Sequence, residues 1–189
     1  MKPKIDYERL REITEERGKR MLQDSKLSEK IVEARLVSDY LKVAHARNFT
    51  IVSDEPVESG GNNLAPQPTE YFLAGVAFCE LSIYARYAAL LGVKVDSIDI
   101  TIKGRLSPEV FWTRMRIGQK IPQFRQIIIE TKIRSPETPD RVKELVTEVE
   151  GRCPLYNSLI NPLPVETVIY HNDEKLEVHE SPATLTAVH

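Results

Sequence analysis

Pro68-Thr69-Glu70-Tyr71-Phe72-Leu73-Ala74-Gly75-Val76-Ala77-Phe78-Cys79 is the stretch on which the fold turns, and it runs on through Glu80, Ser82 and Arg86 to Leu91. Proline suits the first position of a helix, and Glu70 sits where a carboxylate complements first-turn N–H groups. Gly92 supplies the stop. The pattern predicts one long apolar helix over 68–91. Its interruptions at Glu80, Ser82 and Arg86 favour a buried core helix over a membrane span. Cys79 lies deep in this helix. The only other cysteine in 189 residues is in Gly151-Arg152-Cys153-Pro154, where one helix stops and another starts.

Working outward, residues 4–24 predict an exposed helix with a thin apolar stripe of Leu10, Ile13, Met21 and Leu22, supported by pairs such as Glu16 with Arg20. Residues 31–37, 40–46 and 49–52 alternate as three antiparallel strands with tight turns. A loop follows, carrying Gly60, Gly61, Asn62, Asn63, Pro66 and Pro68. Residues 93–103 and 124–133 predict two further strands, the second placing Ile127, Ile129, Thr131 and Ile133 on one face. Between them, 106–122 is expected as a loop with a short helix around Trp112. Thr138-Pro139-Asp140 starts a helix with Val142, Leu145, Val146 and Val149 at helical spacing. A short helix from Cys153-Pro154 to residue 160 and a last strand over 165–170 complete the expected order. Three segments follow: an N-terminal helical extension over 1–30, one α+β domain over 31–171, and a polar tail over 172–189.

Bulk properties limit the function. Hydrophobic content of 41%, charged content of 29% and a formal net charge of −2 describe an ordinary globular chain with no field to attract nucleic acid or an anionic membrane. The N-terminal residues lack the apolar run of a signal peptide, so the expected location is the cytoplasm. In a reducing compartment a permanent disulfide is not expected, and a bond between the two cysteines would be transient and chemical. Asn48-Phe49-Thr50 reads as a chance match to a glycosylation acceptor. His45, His171, His179 and His189 form no metal-ligand spacing with the cysteines. Neither a phosphate loop nor a nucleophile elbow occurs, so no cofactor and no metal are expected.

Each cysteine has a bland reading as a small core residue beside the chemical one. Cys79 is too far into its helix for the dipole to act on it and needs a nearby cation. Cys153 precedes a helix-initiating proline and follows Arg152. Local electrostatics therefore predict that Cys153 ionises the more readily of the two.

Taken in order, these parts resemble the OsmC/Ohr superfamily. The resemblance is carried by Ser53-Asp54-Glu55-Pro56, Gly60-Gly61, Pro68-Thr69-Glu70 through Cys79, a Phe124-Arg125-Gln126-Ile127 strand, Ser135-Pro136-Glu137-Thr138 and Cys153-Pro154-Leu155, and covers roughly 31–170. It implies an intertwined homodimer in which antiparallel sheets wrap long central helices, with active sites at the subunit interface. It also implies reduction of organic hydroperoxides, protecting against oxidative stress. In that scheme Cys79 attacks, Cys153 resolves, and a dithiol reductant regenerates the enzyme. An arginine and a glutamate activate the attacking thiol in this family. Arg47 and Glu70 are the candidates here, with Arg86 as the alternative arginine. Glu70 precedes Cys79 by nine residues, about 180° around an ideal helix. The peroxidase branches carry their glutamate one position earlier, where this chain has Thr69, which points to a divergent OsmC-like branch. The competing expectation is a non-catalytic dimer. Such a dimer would bind an apolar molecule in an interface pocket of Phe72, Val76, Phe78, Ile83 and Tyr87, or sense redox state.

Overall fold

The computed structural model describes residues 5–23, 28–107, 122–161 and 163–176. Trp112, the expected short helix around it, His179 and His189 lie outside them. The chain divides into a unit of residues 1–157 and a second of 158–189.

The first unit opens with helix α1 (Tyr7–Gln23) and the meander β1 (Glu33–Ser38), β2 (Leu41–Ala46) and β3 (Phe49–Ser53). Two-residue turns join its strands, with Asp39 and Arg47 in the left-handed region at φ 40° and 58°. A short 3-10 turn, Val57–Ser59, leads to α2 (Pro68–Leu91), then to β4 (Ser97–Leu106) and β5 (Phe124–Arg134), which form a long antiparallel pair, and to α3 (Pro139–Arg152). Helix α4 (Pro154–Ile160) follows. The class is α+β with antiparallel sheets, as expected.

The loop before α2 is built around Asp54. Its Oδ2 accepts the N–H groups of Asn62 at 3.0 Å and Leu64 at 3.2 Å, and the side chain is fully buried. Burial alone would raise this carboxyl; the N–H groups of Glu55, Leu64 and Asn62 and the Lys42 ammonium outweigh it and hold the pKa below 3.8. Tyr71 in the first turn of α2 donates its hydroxyl proton to Val52 O at 2.7 Å, tying the helix start to β3.

The far end of α2 is closed by three groups. Gly92, at φ 66°, turns the chain and donates its N–H to Ala88 O. Arg11 Nε donates to Ala89 O at 3.1 Å, and Arg141 donates to Leu91 O. The terminal carbonyls that a helix cannot satisfy internally thus receive guanidinium donors from α1 and α3. Tyr7 accepts the Val95 N–H on its hydroxyl at 2.8 Å, so the exposed helix α1 packs on the surface of its own chain. Here the expected strand over 93–103 starts late. Val93 gives its N–H to Ala88 O as part of the helix cap, and the ladder begins at Ser97.

The core joins α2, the segment that follows it, and α3: Ile83, Tyr84, Ala88, Val93, Val95, Leu145, Val149 and Cys153 form one buried cluster, with Ile98 and Ile100 of β4 packed against it. In contrast, all six residues of β1 are exposed, and Leu36, Val37 and Phe49 keep more than half of their surface open. Neither face of that sheet is covered along its length by described residues of its own chain.

In the second unit, β6 (Ile169–His171) pairs with β7 (Glu174–Leu176) across Asn172 and Asp173, both left-handed at φ 50° and 67°. Those dihedrals suit a type I′ hairpin turn. The expected strand over 165–170 is correspondingly short, and the chain pairs back upon it.

Candidate functional site: two cysteines on one core cluster

Leu145 and Val149, at 0% and 1% exposure, seat α3 against α2. The helix ends at Arg152, and Cys153 leaves it in an extended conformation while still donating its N–H to Val149 O at 2.9 Å. Pro154 then starts α4. This corner turns the Cys153 side chain inward, where it is fully buried in the core cluster against which Cys79 packs. Cys79 itself is half-buried on α2, and the two thiols are free, with no bond between them. Residues separated by 74 positions in the chain are therefore brought to one cluster.

The local prediction about Cys153 is overturned. Burial pushes its thiol up to about 11, although the N–H groups of Tyr156 and Leu155 at the start of α4 act in the opposite sense, and the Cys79 thiol adds to the rise. Arg152 does not compensate. Its Nε donates to Glu148 Oε2 at 2.8 Å and its guanidinium lies 5.5 Å over the Tyr87 ring. Cys153 keeps its proton at neutral pH. Alkylation of the folded protein with iodoacetamide, at a pH well below 11, is therefore expected to consume Cys79 alone, and denaturant should release the second thiol. Preferential labelling of Cys153, read by peptide mass mapping, would contradict this ordering.

The other candidates lie elsewhere. Glu70 Oε2 accepts the Gln67 N–H at 3.0 Å, closing the first turn of α2. Arg47 occupies the β2–β3 turn, its guanidinium 5.0 Å over the Phe49 ring. Arg86 is exposed on α2. Among the described residues, none of these three is hydrogen-bonded to Cys79, and no group of histidines, cysteines or carboxylates could hold a metal. The five residues of the expected apolar pocket do not share a surface. Val76 and Ile83 are in the core at 2% and 6% exposure, whereas Phe78 is 66% exposed on another side of the helix. Phe72 instead stacks on Phe124, with ring centroids 5.6 Å apart. Gly104 makes room for that ring, since a Cβ there would lie 2.4 Å from it.

Sequence reasoning passed over two polar groups beside the pair. Glu80 is only 4% exposed, and its pKa is raised by burial and by the Glu150 carboxylate. Tyr84 is pushed up to about 12 by burial, with the Glu80 and Glu150 carboxylates adding to the rise and the Thr131 side chain opposing it. The signal was present: a carboxylate inside an apolar helical run needs a reason to be there.

An α+β fold with a half-buried thiol on its central helix, packed on the cluster that holds a buried thiol at a helix corner, defines a two-cysteine protein. The OsmC-like protein family matches residues 60–168, and the chain belongs to it. A hydroperoxide reductase of Mycoplasma genitalium is 29% identical over 112 residues, which span 59% of this chain and 73% of that protein. An OsmC-like protein from Mycoplasma pneumoniae shares the fold at a TM-score of 0.61 and 24% identity, over 72% of this chain and 91% of that one. An organic hydroperoxide resistance protein OsmC from Legionella pneumophila does so at 0.54 and 19%, over 71% and 90%.

Proposed function

We propose that this protein is a thiol-dependent reductase of organic hydroperoxides, acting in the cytoplasm to limit oxidative damage. The single observation that carries the reading is the convergence of Cys79 and Cys153, two free thiols of unequal accessibility, on one core cluster. Family membership and the hydroperoxide reductase relative support it.

Cys79 is the attacking group because substrate can reach it, whereas Cys153 has no exposed surface. The Cys79 thiolate attacks the outer peroxide oxygen and the O–O bond breaks. Two electrons pass from sulfur to the peroxide, and the alkoxide takes a proton to leave as the alcohol. Cys79 is then a sulfenic acid. The Cys153 sulfur attacks it, an S–S bond forms as the S–O bond breaks, and the hydroxyl departs with the thiol proton as water. A dithiol reductant restores both thiols by exchange.

Arg47 and Glu70 belong to the proposal as activating groups in a homodimer, Arg47 being supplied by the second copy. The uncovered β1–β3 sheet, with Arg47 at one of its turns, supports that assembly. A redox-sensing role is the second reading. It draws on the engagement of Glu70 in the helix cap, where its carboxylate accepts the Gln67 N–H.

The deciding experiment is titration of the reduced protein with cumene hydroperoxide. One equivalent is expected to convert two titratable thiols into one intramolecular disulfide, seen by mass as the loss of two hydrogens. Retention of both thiols would end the proposal. Fast disulfide formation without recycling by a dithiol would leave the sensing role in its place.

A further inference from the structure

Closure of the disulfide requires the Cys153 sulfur to reach Cys79 with narrow geometry: β-carbons about 3.8 Å apart and a dihedral near 90°. Cys153 is the one residue between α3 and α4, so its side-chain direction depends on how those helices are fixed to each other. Asn157 fixes them. Its Nδ2 donates at 2.9 Å to Glu150 O, a carbonyl in the last turn of α3, and at 2.9 Å to Cys153 O. Its own N–H also donates to Cys153 O at 3.0 Å, in the ordinary helical register of α4. A side-chain amide has two donor hydrogens, and the corner offers two carbonyls. The last-turn carbonyls of a helix lack internal partners, which makes Glu150 O available for such a bridge.

We propose that Asn157 is a positioning residue for the disulfide-forming step. By bridging the end of α3 to the start of α4 it holds the Cys153 sulfur toward Cys79 without touching either sulfur or the peroxide. The inference rests on the hydroperoxide reductase reading. The step it serves is attack of the Cys153 sulfur on the Cys79 sulfenic acid, with water leaving.

Positioning errors near 1 Å can slow a step by up to about a hundredfold, and loss of one bridge is expected to slow closure by about tenfold. Asn157→Ala, Asn157→Ser and Asn157→Asp would each be mixed with cumene hydroperoxide. Loss of the first thiol, formation of disulfide and formation of Cys79 sulfinic acid would be followed by quenched mass analysis. In Asn157→Ala, first-thiol loss should match the wild type while disulfide forms more slowly and sulfinic acid accumulates at high peroxide. Asn157→Ser retains one donor and should fall between. Asn157→Asp sets a carboxylate against two carbonyls and should be no faster than the alanine variant. Thermal melting of each variant separates this from loss of fold. Equal partition between disulfide and sulfinic acid in wild type and Asn157→Ala overturns the inference, whatever their melting temperatures. Parallel loss of both steps also overturns it, since that marks a merely structural role. If the wild type itself forms no disulfide, the reading beneath it fails instead.

Discussion

Replacing Cys153 by serine is expected to stop peroxide oxidation at the sulfenic acid of Cys79. One equivalent of cumene hydroperoxide should be consumed as by the wild type, because the attacking thiol and its access are untouched. No disulfide should form. The sulfenic acid should be captured by dimedone, and excess peroxide should carry it irreversibly to sulfinic acid. Cys79→Ser should give the opposite pattern: peroxide consumption falls to background, since the remaining thiol has no exposed surface and holds its proton up to about 11. Burying a hydroxyl in place of the Cys153 thiol costs about 1–3 kcal/mol, so both variants should still fold. Peptide mass mapping after oxidation checks the outcome. Capture of a sulfenic acid at Cys153 in the Cys79→Ser variant would reverse the assigned roles.

The second large effect concerns the loop that delivers the chain into α2. Gly61 donates its N–H to Pro56 O at 3.1 Å, and the segment folds so tightly that a Cβ on Gly61 would lie 2.0 Å from Glu55 O. That neighbour is backbone and cannot swing away. Gly61→Ala is therefore expected to destabilise the protein by about 3 kcal/mol, roughly 10 °C in Tm, by forcing the loop open around Asp54. A melting temperature within a degree or two of wild type would refute it. The same loop sets an acid limit. The Asp54 pKa is lower in the folded chain than the ordinary 3.8, so its stabilising contribution is complete above that value and disappears as pH falls through the folded one. Denaturant unfolding at descending pH should show this loss in wild type and a weaker one in Asp54→Asn, which is less stable from the outset.

Much of this architecture is legible along the chain because its causes are local. Pro68, Gly92, Pro139 and Pro154 punctuate helices through their own backbone preferences, and alternation marks the meander and the β4–β5 pair. Elsewhere a local pattern misled. Val93 reads as strand, but its N–H belongs to the cap of α2. The first helix is exposed along its length, as its composition predicts, and Tyr7 and Arg11 tie it to the end of α2. The five residues expected to line a pocket are spread around the helix, because burial there is set by α3 and the β4–β5 pair rather than by residue type.

Cys153 makes the division plainest. Its place before Pro154 and after Arg152, and its order relative to Cys79, are properties of the sequence and already mark the two cysteines as unequal. The direction of that inequality is not. A helix start and an adjacent arginine favour a thiolate when considered alone, and both are present. In the folded chain Arg152 turns to Glu148 and Tyr87, while Leu145 and Val149 seal the corner and exclude water from the sulfur. Desolvation then exceeds the pull of two backbone N–H groups, and the buried thiol stays protonated. Charge and spacing can be read residue by residue; burial is a sum over neighbours that only the tertiary structure brings together.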